Sequence, residues 1–349
     1  MRSLKNRSLL VVNEDFEGKR NAEVRFLFSS LKFQSMFQFI KNWSLPIIMC
    51  LGVLTYIVAH ALNLPVEVKA DINSGIKILQ PLLLFCMLYI SFCKVDFKQL
   101  RLRPWHGLLL LIQVGMVGIL SLVLRYLPHS NIYLLAECLL ACFICPTATA
   151  SVVIVEKLKG NPATLLMYNI LINLSIAVTA PIFIPLFMKN EIGFTETFLS
   201  IIKQVGPVLM IPLILARLTS RYLPKLRDKI TQIKDLAFYL WMVALGLAMA
   251  TASRAFANTK IDFYTVLGIL LITATACLLQ FFIGRRIGKV FGDQISAGQA
   301  LGQKNTVFVI WLAYTFMDPI CAVAGGFYSI WHNTVNSIQL YRHNNKGTK

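Results

Sequence analysis

The sequence predicts an all-helical integral membrane protein. Hydrophobic residues make up 56% of the 349 residues, charged residues make up 14%, and the mean hydropathy is +0.65. A soluble domain carries about 25% charged residues, so this composition is that of a chain that lies in lipid. Apolar stretches of about 20 residues recur between polar and turn-forming segments, which is the pattern of a polytopic membrane protein.

Ten membrane-spanning segments fit between the polar breaks. Turn and charge signals separate them, such as L-P-H-S-N before the fourth and K-G-N-P before the fifth. The predicted spans are 44–62, 75–93, 105–127, 131–157, 162–188, 196–220, 233–253, 262–284, 290–316 and 319–341. Two sets of five spans give two halves, 44–188 and 189–341, with an extension at 1–43 and a tail at 342–349.

Positive charge follows the alternation of the loops. Of the 34 Lys and Arg residues, 26 fall in the N-terminal segment, alternate loops and the tail, and 5 fall in the opposite loops. Lys and Arg concentrate on the cytoplasmic side, so we expect both termini to be cytoplasmic. Orientation in a plasma membrane or a bacterial inner membrane therefore explains the net charge of +18, and we expect no nucleic-acid partner.

The first 43 residues carry charge runs and only short apolar runs, too short for a secretory signal. Residues 23–41 are compatible with an amphipathic basic helix on the inner leaflet. The alternative, which we favour, is a poorly ordered extension or an upstream start to a chain whose core begins near Met36.

Catalytic and metal-binding patterns find little support. The sequence has no G-x-S-x-G, no H-E-x-x-H and no phosphate-binding glycine loop, so we do not expect an enzyme. The cysteines fall within or at the ends of apolar spans, where free Cys behaves as a small hydrophobic residue. Packing is their expected role, for Cys50, Cys86, Cys93, Cys138, Cys142, Cys145, Cys277 and Cys321.

Two spans contain signals for an interrupted helix. The fourth span contains C-P-T-A-T-A-S, in which Pro146 removes a main-chain donor. The ninth contains A-L-G-Q-K-N-T, in which Gly302 precedes four polar residues. Each interruption lies in the fourth member of its set of five, and five spans per half give the halves opposite orientations. Matched broken helices in inverted repeats indicate the binding site of a transporter.

Lys304 is the only ionised side chain between Asp293 and Asp318. At 1.5 Å per helical residue it lies roughly 16 and 21 Å from these charges, near the middle of a bilayer-length segment. An ionisable group at that depth is a candidate functional residue.

The chain from about residue 44 onward resembles the bile acid:sodium symporter family. S-I-W-H-N near the end is similar to the family's S-x-W-H-N run, and C-P-T-A-T-A-S-V-V-I-V-E-K-L-K-G-N to its P-G-G-T-A-S-N-V stretch. G-Q-K-N-T is similar to its E-x-G-M-Q-N-S crossover segment. The resemblance implies ten helices in two inverted five-helix repeats, with a panel domain and a core domain. The broken fourth and ninth helices would cross at the midplane of the core, and members move organic anions, commonly with sodium.

The chain departs from that pattern at the ion site. Ala300 replaces the family's Glu, Gln303-Lys304 replace Met-Gln, and Val152 replaces an Asn. The sodium-binding carboxylate is therefore missing, and an ammonium occupies one ligand position. The residues expected to bind substrate or ion are Pro146, Thr147, Thr149, Ser151, Gln303, Lys304, Asn305, Thr306, Gln113, Asn169 and Asn173; Thr149, Ser151, Asn169 and Asn173 are the sodium candidates.

We interpret the Lys304 ammonium as a replacement for one bound cation. Lys304 would then attract an anionic substrate directly or exchange a proton during transport. The alternative is a structural lysine, which snorkels or pairs with Glu137, the one acidic residue well inside a span. Asn169 and Asn173, spaced i, i+4, either supply oxygens to a cation or join neighbouring helices.

The sequence thus predicts a secondary transporter for a small organic anion, working by alternating access in a lipid bilayer. The resemblance implies sodium coupling, and we expect no other cofactor. The alternatives are a proton-coupled or uncoupled carrier, a membrane sensor that binds without transport and, more remotely, a membrane enzyme. The sequence leaves the anion and the oligomeric state open.

Overall fold

Thirteen α-helices, and no strand, make up the regular structure of the described residues. The structure is a computed structural model that describes residues 47–62, 65–95, 100–188, 193–233, 236–258 and 261–346, without the side chains of 237, 238 and 344–346. The predicted extension at 1–43 lies outside these residues. The chain divides into two units, Met1–Cys50 and Leu51–Lys349, and the candidate site lies in the second.

The helices follow the predicted spans in order. They are α1 (Ile47–Ala61), α2 (Val66–Cys93), α3 (Pro104–Tyr126), α4 (Asn131–Ile144), α5 (Ser151–Lys157), α6 (Pro162–Phe187), α7 (Phe194–Tyr222), α8 (Pro224–Gln232), α9 (Leu236–Asn258), α10 (Phe263–Val290), α11 (Gln294–Gly302), α12 (Thr306–Phe316) and α13 (Cys321–Lys346). Six of them, α2, α3, α6, α7, α9 and α10, are long and apolar enough to cross a membrane. The protein is therefore a helical, multi-pass membrane protein.

Both expected interruptions are present. The fourth span is divided into α4 and α5, and the ninth into α11 and α12. Pro146 cannot donate a main-chain hydrogen bond, and the residue before it, Cys145, adopts φ −70° and ψ 124°. Gln303 after α11 is similarly extended, with φ −94° and ψ 107°. The helices therefore stop within their spans and leave two short extended segments.

Side-chain caps fix where the next helices begin. Asn161 caps α6 by accepting hydrogen bonds from the main-chain N–H groups of Ala163 at 3.1 Å and Thr164 at 3.3 Å. Asn305 caps α12 in the same way, with its Oδ1 accepting from Phe308 N at 3.3 Å. A cap of this kind satisfies amides that have no partner in the first turn of a helix.

Two boundaries differ from the prediction for a physical reason. Helix α2 begins at Val66, whereas the predicted span begins at residue 75. The exposed first turns of α2 carry Glu67, Lys69 and Asp71, and these charges lower the local hydropathy on which the prediction depends. The connection after α7 contains α8, a polar helix with no buried residue in its nine positions. Hydropathy locates apolar spans, so it misses helical turns that face water.

Glycines bring α10 and α11 close together. A Cβ atom at Gly284 of α10 would contact the Ala297 carbonyl oxygen of α11, and one at Gly302 would contact the Phe281 ring. Small residues at helix contacts let two main chains approach closely in a membrane. This packing fixes the end of α11, and with it the start of the extended segment that follows.

Candidate functional site

The two extended segments cross and pair as a single antiparallel bridge between Thr147 and Lys304. Ala148 N donates to Gln303 O at 2.9 Å, and Asn305 N donates to Pro146 O at 2.8 Å. Unwound main chain within a membrane is tolerated only when its polar groups are satisfied by protein or by a wet cavity. Each interrupted helix therefore supplies hydrogen-bond partners for the other.

Side chains from both segments strengthen the crossing. The Thr147 hydroxyl donates to Ala300 O at 2.5 Å, and the Cys145 thiol donates to Asn305 O at 3.0 Å. Thr147 and Cys145 are fully buried. The crossing is therefore a packed junction in which the predicted residues Pro146, Thr147, Gln303, Lys304 and Asn305 come together.

Gln113 of α3 holds the end of α4. Its Nε2 donates to Phe143 O at 2.8 Å and to Cys145 O at 2.9 Å, and its Oε1 accepts from the Tyr168 hydroxyl at 3.2 Å. These carbonyls lie where the helix ends, so they lack the usual partner four residues later. Gln113 therefore lies beside the crossing, with one lone pair of its amide oxygen left for another ligand.

Two asparagines of α6 connect this helix to the crossing. Asn169 Nδ2 lies 3.4 Å from both Thr147 O and Ala148 O, and Asn173 Nδ2 donates to Asn169 Oδ1 at 2.7 Å. Asn173 Oδ1 is a buried acceptor that has no hydrogen-bond partner in the described part of the chain. An unpaired amide oxygen next to the crossing is suited to a hard cation such as sodium.

The hydroxyl candidates occupy different environments. Ser151, at the start of α5, is fully buried and donates to Ala148 O at 2.5 Å, so its oxygen can still accept a ligand. Thr149 is half-buried. Thr306 is buried in the first turn of α12.

Lys304 is 1% exposed, and its Nζ has no hydrogen-bond partner among the described residues. The thiols of Cys142, Cys145 and Cys277 lie close enough to interact with it electrostatically. A charged amine at the centre of a membrane helix is unfavourable by about 2.5–3.5 kcal/mol or more unless it is paired or hydrated. Such a side chain needs a functional explanation.

Glu137 interacts with a different part of the molecule. Its Oε1 accepts from Asp318 N at 3.0 Å, just before α13, while its Oε2 is buried without a hydrogen-bond partner in the described ranges. Since neither Glu137 Oε2 nor Lys304 Nζ has a hydrogen-bond partner there, the two groups do not bond each other directly in this structure.

Comparison with known proteins assigns the chain to a family. The sequence pattern of the SBF-like CPA transporter family matches residues 49–324, which is most of the chain. The chain belongs to the SBF-like CPA transporter family. The resemblance to bile acid:sodium symporters is thereby confirmed, and this SBF-like protein is a membrane transporter and not an enzyme.

One curated relative of this SBF-like transporter comes from Bacillus subtilis (strain 168). The two sequences are 24% identical over 250 residues, which cover 70% of this chain and 75% of the relative. The relative is named an uncharacterized sodium-dependent transporter, YocS.

The sequence interpretation missed one side chain at the crossing of this SBF-like transporter. The Tyr328 hydroxyl of α13 donates to Gly302 O at 2.9 Å and so satisfies the last residue of α11. Tyr328 directly precedes the S-I-W-H-N run, but the contact joins positions 26 residues apart. Local patterns do not contain that pairing.

Proposed function

We propose that this protein is a secondary transporter of an organic anion of the bile acid or carboxylate type, working by alternating access. The observation that supports it best is the antiparallel crossing of two interrupted helices at Thr147 and Lys304. Interrupted helices from two repeats meet at the substrate site in several transporter folds. The substrate site of this protein lies at the crossing.

The two halves, 44–188 and 189–341, form inverted five-helix repeats. Each half contributes one interrupted helix in its fourth span, α4–α5 in the first and α11–α12 in the second. A core domain built around the crossing rocks against a panel domain and exposes the site to each side in turn. The basic extension at 1–43 and the tail at 342–349 lie on the cytoplasmic side, where Lys and Arg accumulate.

The coupling ion is sodium at an altered site. A relative that is named sodium-dependent supports this ion, and the oxygens of Asn173 and Ser151 are available at the crossing. Ala300 offers no carboxylate where the family has Glu, so fewer charged oxygens are present. Thr149 and Asn169 complete the set of sodium candidates.

The ammonium of Lys304 takes the place of one cation. Two like charges 4 Å apart repel by about 4 kcal/mol at an effective dielectric of 20, so sodium cannot bind beside a charged Lys304 without a large loss of affinity. The fixed positive charge then attracts the anionic substrate without a second ion. The replacement of one bound cation by Lys304 explains both departures from the family pattern, Ala300 in place of Glu and the added lysine.

A proton-coupled carrier is the second candidate. The buried, unpartnered Nζ of Lys304 favours it, because an amine without a carboxylate partner can lose its proton inside the membrane. The remaining alternatives for the same site are uncoupled transport of the anion and a sensor that binds the anion without transporting it.

Thermal stability of the purified protein in sodium chloride or choline chloride, at equal ionic strength, tests the role of Lys304. A ligand that binds only the folded state at 100 times its Kd stabilises it by about 2.7 kcal/mol. We expect a sodium shift in the wild type from the remaining cation site, and a larger one in Lys304→Gln, where a second position becomes open to sodium. Lys203→Gln, which removes an exposed lysine of α7, is the control and should behave as the wild type. A sodium shift of the same size in all three proteins contradicts the replacement of a cation by Lys304.

Uptake of a radiolabelled bile acid into proteoliposomes tests transport itself. Accumulation inside the vesicles supports a carrier for this class of anion, and dependence on a sodium or proton gradient identifies the coupling ion. Saturable binding of the bile acid without accumulation would favour the sensor.

A further inference from the structure

A row of polar side chains lies between α11 and α13, on the side of the crossing where α11 begins. Tyr328, His332 and Asn336 are spaced i, i+4, i+8 and therefore lie on one face of α13. All three are buried, and Gln339, one turn further, is half-buried. We call Tyr328, His332, Asn336, Gln339, the facing Gln299, and Gln303, which follows the Gly302 that accepts from Tyr328, the polar track.

Contacts define the two ends of the polar track. At one end the Tyr328 hydroxyl donates to Gly302 O, two residues before Lys304. The rings of Tyr328 and His332 lie 5.8 Å apart between centroids. At the other end Gln299 Nε2 donates to Asn336 Oδ1 at 2.9 Å and to Gln339 Oε1 at 3.2 Å.

Direct hydrogen bonds do not satisfy the polar track. Four of its buried atoms have no partner within the part of the chain that the structure describes: Gln299 Oε1, Gln303 Oε1, His332 Nδ1 and Asn336 Nδ2. Each unsatisfied buried group costs about 1–3 kcal/mol.

Helix adhesion explains only part of this arrangement. Polar residues commonly join membrane helices by hydrogen bonds, and the Gln299–Asn336 bond is of that kind. Leucine or alanine in place of His332 and Gln303 would pack the same contact without unpaired atoms. Buried groups of both donor and acceptor character in one row fit water, which makes about three hydrogen bonds in protein interiors.

The polar track is long enough to cross half of the membrane. The eleven helical steps from Tyr328 to Gln339 extend about 16 Å, against about 30 Å for the hydrocarbon core. The inner end reaches the extended segment that contains Lys304, because the Tyr328 hydroxyl donates to Gly302 O, two residues before the lysine. The other end reaches Gln339, near the end of the predicted span 319–341, beyond which the tail is predicted to be cytoplasmic.

We infer that the polar track holds a file of water molecules that connects Lys304 with the cytoplasm. This inference deepens the second candidate of the proposed function, the proton-coupled carrier, since it rests on the release of a proton by Lys304. Through the file, the Lys304 ammonium transfers a proton to water, giving a neutral amine and a hydronium ion, and the reverse step restores the charge. The same water satisfies the unpaired atoms of Gln299, Gln303, His332 and Asn336.

Radiolytic hydroxyl labelling of the full chain in lipid nanodiscs tests the water file. X-ray pulses generate hydroxyl radicals from bound water, and mass spectrometry locates the oxidised side chains. Tyr168 is the matched control, because it is a fully buried tyrosine whose hydroxyl bonds Gln113 away from the polar track. We expect Tyr328 to be oxidised at least fivefold faster than Tyr168, and equal rates would overturn the inference.

Substitutions in the polar track give a second measurement. Asn336→Leu should lower the oxidation of Tyr328 to the rate of Tyr168, while Ser337→Leu on the exposed face of α13 should leave it unchanged. If Asn336→Leu does not fold, Gln339→Leu blocks the half-exposed mouth and should have the same effect. If Tyr328 is still oxidised fast in a folded Asn336→Leu or Gln339→Leu protein, the result contradicts the proposed water file.

The water file and the role of Lys304 fail in different ways. A slowly oxidised Tyr328 combined with a larger sodium shift in Lys304→Gln than in the wild type overturns the file and leaves the proposed function in place. Fast oxidation of Tyr328 combined with an unchanged sodium response in Lys304→Gln supports the water but overturns the function assigned to the lysine.

Discussion

Gln113 should be among the most important polar side chains for the stability of the crossing. Substitution by leucine keeps the approximate size of the side chain and removes its three hydrogen bonds, two to carbonyls at the end of α4 and one from Tyr168. All of these groups are buried, so they cannot recover a hydrogen bond from bulk water.

The number of hydrogen bonds lost gives the expected decrease in the free energy of unfolding. A hydrogen bond between membrane helices contributes about 0.6 kcal/mol on average and up to about 1.7 kcal/mol. Three such bonds give about 2 kcal/mol for Gln113→Leu, with an upper value near 5 kcal/mol. Tyr168→Phe removes one of the three bonds, so we expect about 0.6 kcal/mol for that control.

Equilibrium unfolding in mixed detergent micelles, followed by far-ultraviolet circular dichroism against the fraction of dodecyl sulfate, measures both free energies. The double variant should lose no more stability than Gln113→Leu alone, because the leucine already removes the partner of the Tyr168 hydroxyl. A loss for Gln113→Leu that does not exceed the loss for Tyr168→Phe would refute the role of Gln113 in holding α4.

Two further predictions concern helix packing and capping. Gly284→Ala should destabilise the protein by about 1–3 kcal/mol, because its Cβ would meet a main-chain carbonyl of α11, whereas Gly115→Ala, with open space around it, should be neutral or stabilising in the same unfolding assay. Hydrogen bonds from Thr265 lower the pKa of Asp262, the cap just before α10, below its ordinary value of 3.8. The folded state therefore binds fewer protons, so this stabilisation is present above that value and is lost as the pH falls through the lowered pKa. The unfolding midpoint should fall less between pH 6 and pH 3 in Asp262→Asn than in the wild type, and equal falls would contradict the assignment.

Local sequence predicts the spans and both interruptions, because each depends on residues close together in the chain. Pro146 ends α4 through its missing N–H group, which any reader of the sequence can recognise. Gly302 is required at the second break because of the space available there, not because glycine is flexible. The Phe281 ring leaves no space for a Cβ atom there, and that ring lies in another helix.

The local sequence does not predict which side chains of distant helices face each other. The row of partners between α11 and α13 joins Gln299 to Asn336 across 37 residues, and no periodicity within either helix specifies the facing residue. The three thiols around Lys304 come from α4, from the segment after it and from α10. Each looks like ordinary packing in its own helix, and only the fold places them around one amine.

The pairing of Thr147 with Lys304 also makes the two extended segments sensitive to their length. Successive side chains of an extended chain point to opposite sides, so adding or removing one residue moves every later side chain to the other side. A one-residue insertion between Gly302 and Lys304 would turn the Lys304 side chain to the opposite side of the Thr147–Lys304 bridge, whereas a substitution would keep the register. The number of residues between the helix ends, more than their identity, is the feature to align when other members of this family are compared with this chain.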